Sequence, residues 1–119
     1  GITISFGSDG PCTNPDPIDW LDKAVNNENI EQRISIQQAL RCACYNGYYT
    51  TFDEDKRGSL EENKICDMVI LSNNPYTIDP KNIRNLKVEQ LYLSGKPYQS
   101  CKENILKTMV RGLFSKNKA

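Results

Sequence analysis

The segment GSLEENKICDMVIL, residues 58–71, passes from a polar turn into an apolar run. Asn63 is well suited to a left-handed turn conformation there, because asparagine tolerates positive φ better than most residues. The run from Ile65 to Leu71 has the length and composition of a buried strand. Asn73-Asn74-Pro75 then ends it. The segment therefore predicts that the second half of the chain is mostly β-structure.

Further β-structure is predicted after this segment. Asp79-Pro80 marks a turn, and Val88 to Leu93 alternates in the manner of a strand. Ser94-Gly95 fits a two-residue hairpin turn that leads into a last strand from Lys96 to Gln99. Beyond it, Glu103 to Phe114 predicts an amphipathic helix. Its apolar face comprises Ile105, Leu106, Met109, Val110, Leu113 and Phe114.

Before the segment, the pattern is one strand followed by helices. Gly1 to Phe6 alternates and is rich in strand-forming residues. Asp16-Pro17 combines a capping carboxylate with a proline at the first helical position, which predicts a helix over residues 17–27. Ser35 with Gln38 has the form of a capping box and predicts a second helix, whose apolar stripe runs from Ile36 to Gly47. The aromatic residues at the end of this helix are expected to be core or interface residues rather than a ligand-stacking group. They are Tyr45, Tyr48, Tyr49 and Phe52.

Composition excludes several classes of function. The chain has 15 basic and 15 acidic residues, so no net charge attracts nucleic acid or an anionic membrane. No apolar run approaches the ~20 residues that span a bilayer. Its five cysteines lack metal-site spacing, and we expect buried, reduced thiols and a cytoplasmic location. Histidine is absent, so any reaction that needs an imidazole cannot be completed by this chain alone.

Asp9 is the candidate catalytic residue, and local pattern leaves two interpretations open. It lies in the stretch ISFGSDGP, residues 4–11, directly after the first predicted strand. In the first interpretation, its carboxylate accepts hydrogen bonds from nearby backbone amides in an Asx turn. In the second, it lies at the carboxyl end of a barrel strand, where catalytic groups of α/β barrels collect. There a carboxylate can bind a divalent metal and transfer a proton.

Several stretches in fixed order resemble one enzyme family. They are FGSDGP, then SIQQALR, then RGSLEENKICDMVILSNNP, and finally VEQLYLSGK. Together they are similar to the C-terminal portion of the metal-dependent amidohydrolase superfamily, and within it to the YtcJ-like branch. The resemblance covers about residues 3–98. The block G-S-L-x-x-x-K-x-x-D-x-V-x-L is its most specific part.

The resemblance implies an α+β fold that is part of a larger one. Residues 1–57 would be the C-terminal end of a (β/α)8 barrel, namely its last strand and outer helices. Residues 58–100 would form part of a small composite β-sandwich domain, and residues 101–119 a C-terminal amphipathic helix and basic tail. The H-x-H pair and the other histidines of such barrels are absent. We therefore expect a fragment of a longer hydrolase, inactive alone.

The family resemblance also implies the chemistry. It implies metal-assisted hydrolysis of a carbon–nitrogen bond in a small amide-type substrate, with one or two divalent ions, zinc in most members. Asp9 would be both a metal ligand and the group that passes a proton to the leaving nitrogen. Ser8, Gly10 and Pro11 are the candidates for a substrate loop. We expect no metal to bind stably to this chain without the rest of the barrel.

Two departures from the family block lie at Asn63, where glycine is usual, and at Cys66, where alanine is usual. Both replacements suit the backbone geometry, since asparagine tolerates positive φ and cysteine is small. Asp67 in the same block is interpreted as a structural cap for backbone amides.

An alternative function remains open alongside hydrolysis. The same segment of fold could serve as a non-catalytic binding or assembly module. In either case the strand over residues 2–6 would have unpaired edges, so we expect self-association of the isolated chain.

Overall fold

Asp16 starts helix α1, Pro17–Val25, as its sequence predicts. Its carboxylate accepts hydrogen bonds from the amides of Ile18, at 3.1 Å, and Asp19, at 3.4 Å. Pro17 lacks an amide hydrogen and therefore occupies the first turn without cost. A polar loop with a short 3₁₀ turn, Ile30–Gln32, follows the helix.

The predicted second helix is divided in two. The capping box is confirmed, since Gln38 donates its amide to the Ser35 hydroxyl and accepts the Ser35 amide in return. Helix α2 spans Ile36–Ala43, and helix α3 spans Tyr45–Thr50. The backbone leaves helical geometry at Cys44, with ψ at −79°. The predicted stripe to Gly47 is therefore broken near its end.

The second half contains a three-stranded antiparallel sheet, as the sequence predicts. The computed structural model describes residues 1–99, and within them the strands are β1, Met68–Leu71, β2, Val88–Leu93, and β3, Lys96–Pro97, in that spatial order. β1 and β3 are shorter than predicted. Ser94 and Gly95 form the hairpin turn, with φ of 51° and 74°. The predicted helix over 103–114 lies outside the described residues.

The core joins the helices to the connection between β1 and β2. It is formed by four buried residues, Leu21, Ala39, Ile83 and Leu86. Asp79 begins the 3₁₀ helix Pro80–Asn85, which packs its Ile83 against α1 and α2. Full burial of a side chain of this size contributes about 1.5–3 kcal/mol. This contact therefore holds the β half against the helical half.

The predicted first strand, residues 1–6, which we call the extended segment after its sequence prediction, has no regular secondary structure and forms no strand pairing within residues 1–99. Its backbone forms hydrogen bonds with the helices instead. The Phe6 amide donates to the Cys42 carbonyl at 3.1 Å. The buried Asn46 side chain donates to the Ile4 carbonyl at 2.7 Å. A strand requires a neighbouring backbone to form its ladder, and the described chain supplies none here. Ile2 and Ile4 are 93% and 62% exposed as a result.

Residues 57–67, which include the polar turn of the segment GSLEENKICDMVIL, join the helical half to the β half, and we call them the GSL joint. Gly58 has φ +91°, and a Cβ there would lie 2.9 Å from Tyr48 Cδ2. Lys64 donates to the Glu54 carbonyl at 2.7 Å and to the Ser59 hydroxyl at 2.8 Å. Asn63 adopts φ 69°, as predicted. Local backbone geometry and hydrogen bonding therefore account for the residue types at Gly58, Ser59, Asn63 and Lys64.

Asp67 closes the joint onto the hairpin. Its carboxylate accepts the Ser94 amide at 2.7 Å and forms an ion pair with Arg57. The neighbouring Cys66 carbonyl accepts the Gly95 amide at 2.7 Å. Asp67 therefore caps a backbone amide, as interpreted from its position before the strand. No helix among residues 1–99 is long and apolar enough to cross a membrane.

Candidate functional site

The Asp9 loop, residues 7–15, follows the extended segment and leads into helix α1. Asp9 has φ 50°, and its carbonyl accepts the Cys12 amide at 2.9 Å, which closes a four-residue turn around the cis Gly10–Pro11 peptide. Positive φ is uncommon for residues other than glycine, although aspartate is among those that tolerate it. The turn directs the Asp9 residue outward, where it is exposed.

The side chain that stabilises this loop is Ser8 rather than Asp9. The Ser8 hydroxyl accepts the Gly10 amide at 3.2 Å, and the Ser8 carbonyl accepts the Thr13 hydroxyl. The first of these is the kind of contact that the Asx-turn interpretation assigned to the Asp9 carboxylate, namely acceptance of a nearby backbone amide. Because the Ser8 hydroxyl already accepts the Gly10 amide of the turn, the Asp9 carboxylate is available for other contacts.

The described residues do not form a metal centre on their own. A catalytic zinc site uses three protein ligands and an open position. Within residues 1–99 no group of three or more His, Cys, Asp or Glu side chains could hold a metal ion. Asp9 could supply one ligand, and the remaining ligands would have to come from outside residues 1–99.

The extended segment borders an open groove of about 690 Å³, which we call the barrel groove. Its lining combines the segment with the adjacent helix faces and includes Ile2, Ile4, Phe6, Cys42, Tyr45 and Tyr49. Tyr49 is 48% exposed. A concave, mainly apolar surface beside an unpaired extended backbone is the shape that a neighbouring strand and its side chains would fill.

The aromatic residues near the end of the helices serve packing in part. The Arg41 guanidinium lies 4.5 Å from the centre of the Tyr45 ring, a cation–π contact. Tyr48 packs on Gly58 of the GSL joint. Phe52, in contrast, is 89% exposed and has φ 60°. Tyr45 and Tyr48 therefore pack within the described fold, whereas the exposed Phe52 is not a core residue and an interface role for it stays a prediction.

The prediction of buried cysteines is wrong for three of them. Cys12, Cys44 and Cys66 are exposed, whereas Cys42 is half-buried, and all four are free thiols. Each exposed cysteine belongs to a loop, a helix end or a turn, where backbone geometry decides exposure more than side-chain polarity does. Although Cys44 is exposed as a residue, partial burial around its sulfur raises the pKa of the thiol. Cys101 lies outside the described residues.

Asn46 is the positioning residue that sequence reasoning missed. It lies among the aromatic residues and reads as a surface polar residue, yet it is only 8% exposed. Its hydrogen bond to Ile4 holds the extended segment that leads to Asp9. The only signal in the sequence is its spacing of four residues from Cys42, which would place both on one face of the single helix that the sequence predicts. In the structure the two residues lie in separate helices, and Asn46 donates a weaker contact to Cys42 Sγ at 3.7 Å.

The comparisons with known proteins decide the family. The family model described as "Amidohydrolase family" matches residues 1–99. The chain belongs to the amidohydrolase family. This match covers every described element, from the extended segment to strand β3, and includes both the Asp9 loop and the GSL joint. The resemblance noted from the sequence motifs is therefore confirmed.

Two curated relatives agree with membership of the amidohydrolase family. The N-substituted formamide deformylase of Arthrobacter pascens is 24% identical over 102 residues, which cover 80% of this chain and 19% of the deformylase. The predicted amidohydrolase YtcJ of Bacillus subtilis (strain 168) is 23% identical over 105 residues, 80% of this chain and 20% of YtcJ. The chain thus spans about a fifth of the length of these relatives. No solved structure matches it.

Proposed function

We propose that this chain is the part of a metal-dependent hydrolase that supplies the Asp9 carboxylate to a reaction at a carbon–nitrogen bond. The observation that carries the proposal is the Asp9 loop of an amidohydrolase-family chain, in which Ser8 satisfies the turn and leaves the Asp9 carboxylate exposed. The substrate class is a small amide. One relative is named a deformylase of N-substituted formamides, which makes such formamides the first substrates to test.

In this proposal residues 1–57 are the last unit of a (β/α)8 barrel and residues 58–99 are part of a composite β domain. The barrel groove is then the contact surface for the rest of the barrel, since it borders backbone that lacks a strand partner among the described residues. A hydrolytic metal, zinc in this proposal, supplies Lewis acidity when bound. Asp9 contributes one carboxylate ligand and holds the proton destined for the leaving nitrogen. Ser8, Gly10 and Pro11 shape the loop that faces the substrate.

The test compares two carboxylate variants in the complete reading frame that contains this chain. We expect zinc-dependent hydrolysis of N-substituted formamides, and a loss of about 10²–10⁴-fold in kcat for Asp9→Asn, the range for removal of a positioned acid–base group. Asp55→Asn is the matched control, since Asp55 is exposed and lies far along the chain from Asp9. Equal activities of the two variants would contradict the role of Asp9.

The isolated chain should neither hydrolyse formamides nor retain zinc, because its described residues hold no three-ligand cluster. Sequencing upstream of Gly1 gives a second, independent check. An H-x-H pair and further histidines there support the hydrolase. Their absence from the reading frame supports the alternative, a non-catalytic binding or assembly module on the same fold.

A further inference from the structure

The Asp9 loop is held to the fold at its two ends and is exposed between them. Before the loop, the Phe6 amide donates to a carbonyl of helix α2, and after it, Asp16 caps helix α1. Among the nine residues of the loop only Ser8 is half-buried, and the other eight are exposed. Because an exposed loop gains little stability from packing, its conformation depends on its own hydrogen bonds.

Within the described chain, three hydrogen bonds inside the loop define its shape. The Ser8 hydroxyl accepts the Gly10 amide, and the Asp9 carbonyl accepts the Cys12 amide. Each of these two bonds joins residues two or three positions apart and closes only part of the loop. The Thr13 hydroxyl, in contrast, donates to the Ser8 carbonyl five positions earlier. Of the three bonds, it alone encloses the whole turn from Asp9 to Cys12.

The acceptor of the Thr13 hydroxyl connects this residue directly to Asp9. The Ser8 carbonyl belongs to the peptide unit between Ser8 and Asp9, and the atoms of a peptide unit from one Cα to the next lie in one plane. A bond that fixes the direction of this carbonyl therefore also fixes the Cα from which the Asp9 side chain projects. Threonine is suited to this role, because its branched Cβ restricts the direction of its hydroxyl.

We propose that Thr13 is a positioning residue for Asp9, because its hydroxyl closes the Asp9 loop and fixes the peptide from which the Asp9 carboxylate projects. The consequence for catalysis rests on the proposed function, in which that carboxylate is a metal ligand and transfers a proton. A displacement of about 1 Å at a reacting group can lower a rate by about 10²-fold. The two other hydrogen bonds of the loop remain without the hydroxyl, so we expect a smaller loss, of about tenfold.

The test compares two replacements of Thr13 in the complete reading frame that contains this chain. Thr13→Val keeps a similar volume but lacks the hydroxyl, whereas Thr13→Ser keeps the hydroxyl. Thr77→Val is the matched control, because Thr77 is also exposed and donates its hydroxyl to the Asn74 carbonyl in the connection between β1 and β2. It removes the same kind of hydrogen bond from a different turn.

The first measurement is hydrogen exchange in the Asp9 loop, followed by mass spectrometry of a peptide that contains it. Thr13→Val should speed exchange of the Gly10 and Cys12 amides about fivefold, since their acceptors lie on the two residues that the Thr13 hydroxyl holds. Thr13→Ser and Thr77→Val should both exchange at the wild-type rate. An unchanged rate in Thr13→Val would overturn the proposal, and so would a rate in Thr13→Ser as fast as in Thr13→Val. Equally faster exchange throughout helix α1 would also overturn it, because Thr13 would then serve the fold as a whole.

The second measurement is hydrolysis of an N-substituted formamide by the same zinc-loaded proteins. Thr13→Val should lower kcat about tenfold with little change in KM, and Thr13→Ser should recover the wild-type kcat. A wild-type kcat in Thr13→Val beside a large loss in Asp9→Asn would overturn the positioning role. If the wild-type protein shows no hydrolysis, or if Asp9→Asn is fully active, the proposed function has failed. Exchange of the Cys12 amide then still decides whether Thr13 fixes Asp9, because that amide donates to the Asp9 carbonyl.

Discussion

The ammonium group of Lys64 donates a hydrogen bond to the Ser59 hydroxyl, 2.8 Å away, across the turn that begins the β half of the chain. The same ammonium donates to the Glu54 carbonyl at 2.7 Å, and the lysine side chain is only 14% exposed. The ammonium therefore gives the Glu54 carbonyl and the Ser59 hydroxyl a hydrogen-bond partner. Without such a partner, a polar group that is shielded from water lowers stability. This arrangement gives the serine and lysine of the motif a structural role.

Replacement of Lys64 by methionine should lower the free energy of unfolding by about 2–3 kcal/mol, since hydrogen bonds to charged groups contribute more than neutral ones. Lys23→Met is the control. The Lys23 side chain is 72% exposed and pairs with Asp19 in the same helix, so its loss should cost about 0.5 kcal/mol or less. Urea unfolding at pH 7 measures both. Similar losses for the two variants would contradict the role of Lys64.

Gly58→Ala should destabilise the chain by about 2–4 kcal/mol, because a left-handed backbone and close contact act together. The added Cβ would lie 2.9 Å from Tyr48 Cδ2 and 3.2 Å from Tyr45 Cα. Gly47→Ala is a matched change in helix α3, where the Cβ would meet nothing within 4 Å. It should raise the melting temperature, since alanine favours helix by about 1 kcal/mol over glycine. A shift of the same sign in both variants would refute this contrast.

Two substitutions of Asp67 test the contact between the GSL joint and the hairpin. Asp67→Asn keeps an oxygen that can accept the Ser94 amide but loses the ion pair with Arg57. Asp67→Ala loses both and should cost about 1–2 kcal/mol more than the asparagine variant. The difference in urea midpoint between the two variants measures the hydrogen bond. It would be absent if the ion pair alone stabilised the joint.

Asn46→Leu should release the extended segment that leads to Asp9. The variant removes the 2.7 Å hydrogen bond to the Ile4 carbonyl while it keeps a similar volume. We expect faster hydrogen exchange at the Phe6 amide, by about tenfold for each 1.4 kcal/mol lost. The amide of Ala39 in helix α2, which donates to the Ser35 carbonyl, is the reference. Unchanged exchange at Phe6 would show that the segment is held by other contacts.

Glu61 provides a pH-dependent test of the joint. The Ser59 hydroxyl, followed by the charge of Lys64, lowers the pKa of the Glu61 carboxyl. Because the folded pKa lies below the unfolded one, this contribution to stability is present above the unfolded pKa and is lost as pH falls through the folded pKa. NMR titration should show a rise in the pKa of Glu61 both in Ser59→Ala and in Lys64→Met, since Lys64 adds a hydrogen bond to the effect of its charge. An unchanged pKa of Glu61 in Ser59→Ala would contradict the role of the hydroxyl.

The local signals in the sequence were sufficient for the caps and turns. Asp16 and Ser35 act where their patterns predict, because each caps amides two or three positions away. Ser94 and Gly95 form the predicted turn, because both adopt the positive φ that such a two-residue turn requires. The second helix was predicted too long, since side-chain periodicity does not reveal the backbone change at Cys44. The first strand failed as a paired strand for another reason: pairing depends on backbone that residues 1–99 do not include.

The candidate site was predictable in position but not in detail. Asp9 could be selected from its place after an alternating segment, yet nothing in the sequence distinguishes Ser8 from Asp9 as the acceptor in the turn. Only the structure shows that the Ser8 hydroxyl accepts the Gly10 amide in a turn where Asp9 has φ 50°. Asn46 was missed for a related reason. Its partner is a backbone carbonyl 42 positions away. Every residue has a backbone carbonyl, so the sequence does not indicate which one Asn46 contacts.

The Asp67 carboxylate joins backbone segments separated by 27 positions, and the adjacent Cys66 carbonyl accepts an amide of the same hairpin. The hairpin therefore cannot fray without also releasing the turn to which the helices are attached. Sheet and helices should consequently behave as one cooperative folding unit, with a single melting transition and coincident loss of far-ultraviolet and tyrosine signals.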